Sequence, residues 1–122
     1  EALRPGVGAH LFGCDVCQEV CPWNLRFAQP TQQTAFFPRA WLREEGLVDL
    51  LLMTPHEFEL QIAPRSPIKR PKYRGFIRNL AVVMGNSGKR QYLPALEQAL
   101  ERHQADPMLA THLRWAMEQV SL

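Results

Sequence analysis

Cysteine is scarce and confined. The 122 residues hold three, all between positions 14 and 21, in the stretch GCDVCQEVCPWN. An odd number in one place argues against a secreted disulfide framework and fits a reducing compartment, which points to the cytoplasm. Long apolar runs are also lacking. None approaches the ~20 residues that cross a bilayer, and no charged-then-apolar layout marks a signal peptide. The chain starts at Glu1 rather than at a methionine, so a longer parent chain is expected. Acidic residues are missing from Leu60 to Leu96, where Arg65, Lys69, Arg70, Lys72, Arg74, Arg78, Lys89 and Arg90 all lie.

What is present fits one globular unit with a modest core. Apolar residues make up 46% and charged residues 21%, ordinary values for a soluble domain of this length. The net charge of +2 conceals an uneven distribution, because the basic window alone carries eight cations. Such asymmetry suits a polyanionic partner on one face, and it also suits a solvated basic helix end.

Glycine and proline interrupt residues 1–38 repeatedly, at Gly6, Gly8, Gly13, Pro22, Pro30 and Pro38. Loops with a short turn or two are expected there. Helical patterning begins with Trp41, Leu42, Leu47, Leu50, Leu51 and Met53. Thr54-Pro55-His56-Glu57 has the form of a capping box with proline at the first helical position, and Phe58, Ile62 and Ala63 give that helix an apolar face. The basic loop RSPIKRPKYR leads into the clearest helix, in which Phe76, Ile77, Leu80, Ala81, Val83 and Met84 share one broad face. GNSG ends it, with Gly85 or Gly88 as the left-handed cap. A third helix carries Leu93, Leu96 and Leu100. Asp106-Pro107 caps a fourth, with Leu109, Leu113, Ala116, Met117 and Val120. The stretches at Leu80 and Leu113 align at an offset of 33 residues, a spacing found in helical solenoids. Few strands or none are expected, and the pattern as a whole is that of an all-α C-terminal half behind a cysteine-bearing loop region.

Four readings compete for Cys14-x2-Cys17-x3-Cys21-Pro22. Free cysteines can be small buried hydrophobes, and this spacing could line one helix face, but Pro22 disfavours helical geometry at Cys21. A redox Cys-x-x-Cys pair needs a βαβ context that the sequence lacks. A structural zinc could take His10 as fourth ligand, although its ligands usually come as two separated pairs. The fourth reading is an iron–sulfur cluster, whose irons favour thiolate. The bacterial run is Cys-x2-Cys-x2-Cys-x3-Cys-Pro, whose last cysteine serves a second cluster. This sequence reproduces its last three cysteines and the proline, with Leu11 where the first would stand. Half of a two-cluster motif accounts for the number three and places the missing ligands upstream of Glu1.

LFGCDVCQEVCPWN followed by SPIKRPKYRGFIRNLAVVMGNSG resembles the C-terminal part of the epoxyqueuosine reductases, and the likeness extends over nearly the whole chain. It implies a mostly α fold, with residues 1–38 forming the C-terminal half of a ferredoxin-like iron–sulfur segment and residues 39–122 a small HEAT-like helical domain. It further implies an oxidoreductase that reduces epoxyqueuosine to queuosine at the tRNA wobble position, using two [4Fe-4S] clusters and cobalamin. Carried onto this sequence, Cys14 and Cys17 would ligate one cluster and Cys21 the other, and the loop at Cys14-Asp15 would lie near the cobalamin. Arg65, Lys69, Arg70, Lys72 and Arg74 would hold tRNA. The catalytic acid and the cobalamin domain are expected upstream of Glu1, which leaves this piece inactive by itself. A flavodoxin or ferredoxin donor, a monomeric state and no membrane contact complete the expectation.

Phe12, Val16, Val20 and Trp23 are expected to screen a cluster from solvent. Trp23, Trp41 and Trp115 count as core residues by default, while His56 and His112 are left as surface histidines. Tyr73 could stack on a base or sit in the core at a helix end. Two other readings stay open: a zinc-stabilised helical module that binds nucleic acid without catalysis, and a ferredoxin-like carrier or corrinoid dehalogenase relative, which would need no basic face.

Overall fold

The structure, a computed structural model, describes residues 2–38, 46–64 and 66–122. The expectations for Trp41, Leu42 and Arg65 fall outside those residues. Among the described residues the fold is mostly α-helical, with no strand. In chain order the helices are α1 (Arg4–Val7), α2 (Val16–Glu19), α3 (Pro22–Phe27), α4 (Leu47–Leu52), α5 (Pro55–Glu57), α6 (Lys72–Asn86), α7 (Leu93–His103) and α8 (Pro107–Ser121).

The helix starts follow their side chains. The Glu57 backbone N–H donates to Thr54 Oγ1 at 3.2 Å and the Thr54 N–H donates to Glu57 Oε2 at 2.6 Å, the reciprocal pairing of a capping box. That hydrogen bonding also holds the Glu57 carboxyl below its ordinary pKa. At α8, Asp106 Oδ1 accepts from the N–H groups of Met108 and Leu109 at 3.0 and 3.2 Å. The helix after Thr54 is not regular, however. It widens into a π-turn over Phe58–Ile62, and the Ala63 N–H reaches the Phe58 carbonyl at 2.9 Å. A wider turn brings residues four and five apart onto one face, and Phe58, Ile62 and Ala63 are all buried.

Helix α6 is the hub. Its Phe76, Ile77, Leu80, Ala81 and Met84 are buried in one cluster with Leu109, Leu113, Ala116 and Val120 of α8 and with Leu50 and Leu51 of α4. Helix α7 contributes Ala95, Leu96 and Ala99, while the expected Leu93 and Leu100 lie at the margin, half-buried. Alanine carries a weak hydrophobic signal in sequence, yet it lets helices approach closely. Gly85 has the same use. It lies inside α6, not at its cap, and a Cβ there would come within 2.7 Å of Trp115 Cζ3 and 3.0 Å of the Ala116 Cα. The left-handed residue is Gly88, at φ 62°, two positions beyond the helix end.

Tyr73 belongs to this core. Its ring meets Phe58 edge-on, its hydroxyl donates to the Met53 carbonyl at 2.9 Å, and burial raises its pKa. The pair aligned in sequence, Leu80 and Leu113, is fully buried at the contact of α6 with α8.

Residues 2–38 are more helical than their glycines and prolines suggest, because Pro5 and Pro22 sit in the first turns of α1 and α3, where a missing N–H costs nothing. Trp23, expected in the core, is 72% exposed, and Phe12, Val16 and Val20 are exposed as well. Helices α2 and α3 are short and pack chiefly on each other. Trp23 stacks on Phe27 within α3, with ring centroids 5.2 Å apart. Trp115 is half-buried.

Candidate functional site

The three cysteines do not share one helix. Cys14 precedes α2, Cys17 lies within it, and Cys21 sits in extended conformation (φ −66°, ψ 119°) between α2 and α3. Pro22 follows, and the Leu25 N–H donates to the Cys21 carbonyl at 3.0 Å, which starts α3 afresh. The two helices are tied together by Asn24, whose Nδ2 donates to the Gln18 carbonyl and to Gln18 Oε1 at 3.1 and 2.7 Å. The packing reading therefore fails. Cys14 and Cys17 are exposed, Cys21 is half-buried, and none is in a disulfide.

Backbone conformation shapes the loop before α2. Gly13 takes φ 67° with open space around its Cα, so there the demand is conformational, not spatial. Asp15 takes φ 49°, a left-handed conformation uncommon outside glycine. Its carbonyl accepts from the N–H groups of Gln18 and Glu19 at 2.8 and 3.0 Å. Cys14 and Asp15 line a cleft of about 340 Å³. His10, Phe12, Glu19 and Ile68 also line it.

Ile68 connects the cysteine loop to the basic loop. It lies in the 3-10 turn Pro67–Lys69, which Ser66 starts by accepting the Ile68 N–H on its Oγ at 3.2 Å. Two motifs some fifty residues apart in sequence thus line one cleft. Of the expected tRNA contacts, Lys69, Arg70 and Lys72 are exposed beside this turn. Arg74 is engaged otherwise. Its guanidinium grips the Asp106 carboxylate, Nε to Oδ2 and Nη2 to Oδ1 (2.7 Å). That bond, helped by the N–H groups of Leu109 and Met108, lowers the Asp106 pKa to about 2.

As a metal site the cysteine region divides by chemistry. Among the described residues no three His, Cys, Asp or Glu side chains converge as a closed zinc site requires, although His10 shares the cleft with Cys14. Exposed thiols on a Cys-x2-Cys turn, with a third, half-buried, in extended backbone just before a proline, fit the donor set of clusters completed by other cysteines.

Sequence reasoning missed the residues that attach this region to the helices. The Asn79 side chain bonds the Leu11 carbonyl, the Asn86 side chain bonds those of Arg4 and Gly8, and the Arg4 guanidinium lies over the Trp115 ring at 5.3 Å. Polar positions on an amphipathic helix are ordinarily read as solvated, and nothing local marks these two asparagines. His103 carries no local signal either. It lies 3.3 Å from the Tyr73 hydroxyl, and burial lowers its pKa.

Among the described residues no helix is long and apolar enough to cross a membrane. No family model matches the chain, and no solved structure matches it. Curated proteins do. The chain is 43% identical to an epoxyqueuosine reductase of Pseudomonas aeruginosa over 96% of its own length and 32% of that protein's. It is 40% identical to one of Yersinia pestis over 98% of its length and 28% of the relative's, and 38% identical to one of Escherichia coli over 98% and 30%. It spans about 30% of the length of these relatives. Along nearly all of its residues, the chain is a homologue of the epoxyqueuosine reductases, consistent with their C-terminal part.

Proposed function

We propose that this chain is the cluster-bearing, tRNA-facing C-terminal part of an epoxyqueuosine reductase, acting in the cytoplasm as a monomer and reducing epoxyqueuosine to queuosine in tRNA. Residues 1–38 are the second half of a two-cluster segment, and residues 39–122 are a HEAT-like helical domain. The observation that carries the reading is the cleft lined by both Cys14 and Ile68. Cys14, a thiol suited to iron–sulfur ligation, lines it, and Ile68 stands next in the chain to Lys69 and Arg70, cations suited to a phosphate backbone, which supports the reading. Cobalamin and two [4Fe-4S] clusters would supply low-potential electron transfer when bound, fed by a flavodoxin or ferredoxin.

Each part of the chain has a task in this reading. Cys14 and Cys17 would ligate one cluster, and the loop at Cys14-Asp15, shaped by the left-handed turn at Asp15, would lie near the cobalamin. Cys21 would ligate the other cluster, since Pro22 and the extended backbone at Cys21 set it apart from the α2 turn. Lys69, Arg70 and Lys72, with Arg65 and Arg74, neutralise tRNA phosphates. Arg74 does so while bonded to Asp106, through the donors that remain on its guanidinium.

The decisive experiment replaces Cys17 and Cys21 separately by serine in the protein as encoded. The two variants should damage separable electron paramagnetic resonance signals. Loss of one common signal in both would put all three sulfurs on one cluster, and a protein with one zinc and no iron would favour the non-catalytic helical module. For the basic loop, Lys69→Ala with Arg70→Ala should weaken tRNA binding and flatten its salt dependence by ~0.7 to 0.9 log units per tenfold salt for each lost phosphate contact. Unchanged affinity across salt concentrations would make the loop a solvated surface.

A further inference from the structure

Helix α6 turns two asparagines toward the backbone of the N-terminal segment. Asn79 and Asn86 are seven residues apart, close to two full turns, and so lie along one side of the helix. Asn79 Nδ2 donates to the Leu11 carbonyl at 3.0 Å, while its Oδ1 accepts from Arg78 Nε and Nη2 at 3.0 and 2.8 Å. A guanidinium is donor only. It therefore selects the amide oxygen and leaves the Asn79 NH2 group for Leu11. Asn86 Nδ2 donates to the carbonyls of both Arg4 and Gly8, each at 2.9 Å.

The bonded carbonyls flank a stretch with little support of its own. Between Gly8 and Asp15, three residues have positive φ: Gly8 (58°), Gly13 (67°) and Asp15 (49°). Local backbone bonds in the stretch before the cysteines are Gly8 N–H to Pro5 O at 3.1 Å and His10 N–H to Val7 O at 3.2 Å. Glycine adopts positive φ freely, so the sequence permits this path without fixing it, and the asparagine bonds from helix α6 supply a hold that the local bonds do not. Leu11 stands three residues before Cys14, and the Leu11 side chain packs against the helical core.

We propose that Asn79 and Asn86 are positioning residues for the cysteine loop. Helix α6 acts as its template: Asn86 sets the start of the path, and Asn79, oriented by Arg78, sets the point from which the chain turns to present Cys14. The functional part of this assignment rests on the reading of Cys14 as a cluster ligand. The mechanical part does not.

The test uses the protein as encoded, prepared free of metal, with every cysteine but Cys14 replaced by serine and a nitroxide on Cys14, and a control label on Gln104→Cys in a chain with all cysteines replaced. Asn79→Asp and Asn86→Asp keep side-chain size and remove the donor. Each should sharpen the Cys14 line shape and leave the control unchanged. The hydrogen-bonded amides of Gly8 and His10 should exchange about five- to tenfold faster, the factor expected for one lost hydrogen bond. Unaltered line shape and exchange in both variants would overturn the proposal. So would equal loosening at the control label, which would mean global destabilisation. In the iron-loaded protein as encoded, Asn79→Asp should shift the resonance signal that Cys17→Ser damages and spare the one that Cys21→Ser damages; shifts in neither would reduce the clamp to a structural contact. If the wild type holds no iron, the cluster reading fails, and the label still decides the clamp.

Discussion

Residues 46–122 and residues 2–38 are built on opposite terms. In the first, Phe76, Ile77, Leu80 and Met84 of α6 and Leu109, Leu113 and Val120 of α8 are buried against one another and against α4 and α7. In the second, Leu3, Val20, Trp23, Leu25 and Phe36 are well exposed, while Arg4 is buried. One region is held by apolar area removed from water; the other is held onto the first by contacts that include three asparagine–carbonyl bonds, a cation–π contact and the packing of Leu11. Rigidity therefore resides in the helices. They form the platform, and the cysteine loop takes its path from them.

A pair of truncations puts this contrast under the most severe test. Leu113→Ala, in the α6–α8 contact, should cost about 2–5 kcal/mol, the transfer and cavity cost of a buried leucine. Trp23→Ala should change stability by less than about 0.5 kcal/mol, as for an exposed site. Denaturant unfolding measures both, and a large loss from Trp23→Ala would show that the N-terminal region has a core of its own. Next in size is Gly85→Ala. The added methyl meets the Trp115 ring and the Ala116 backbone, and overpacking of this kind costs about 1–3 kcal/mol. A neutral or stabilising result, as helix propensity alone favours, would mean that α6 and α8 can move apart freely.

The smallest effect lies inside the helical region. Asp106 has its folded pKa lowered from 3.8 to about 2, first by the Arg74 hydrogen bond. A carboxyl with a depressed folded pKa adds stability above its unfolded value, and that stability is lost as pH falls through the folded one. Thermal melts should show Asp106→Asn below wild type at pH 7, with the gap closing between about pH 4 and pH 2. A gap that persists unchanged at pH 2 would assign the effect to helix capping or packing rather than to charge.

Legibility followed chemistry that acts over a few residues. The Thr54 capping box, the Asp106 cap, the apolar face of α6 and the break at Cys21-Pro22 can all be read from neighbours in the chain, and all are present. The irregular features escape such a reading. The π-turn at Phe58–Ile62 depends on which side chains the core accepts, and Gly85 looks like a cap because its role as a contact point depends on Trp115 thirty residues away. Trp23 looks like a core residue because tryptophan usually is one, whereas α2 and α3 have little helical surface to lie against. Asn79, Asn86 and Arg74 carry polar or basic character that local pattern assigns to solvent or to a phosphate; their partners Leu11, Arg4, Gly8 and Asp106 are distant in sequence.

Local pattern dictated the helical class, the helix starts at Thr54 and Asp106, the thiol chemistry concentrated at Cys14, Cys17 and Cys21, and the basic window, because propensity, capping, ligand type and charge are properties of residues and their near neighbours. Packing decided that the cysteine loop and Ile68 of the basic loop line one cleft, that Arg74 grips Asp106, and that two asparagines of α6 hold the path to Cys14. Those outcomes depend on the distance between groups far apart in the chain, and nothing short of the folded arrangement sets that distance.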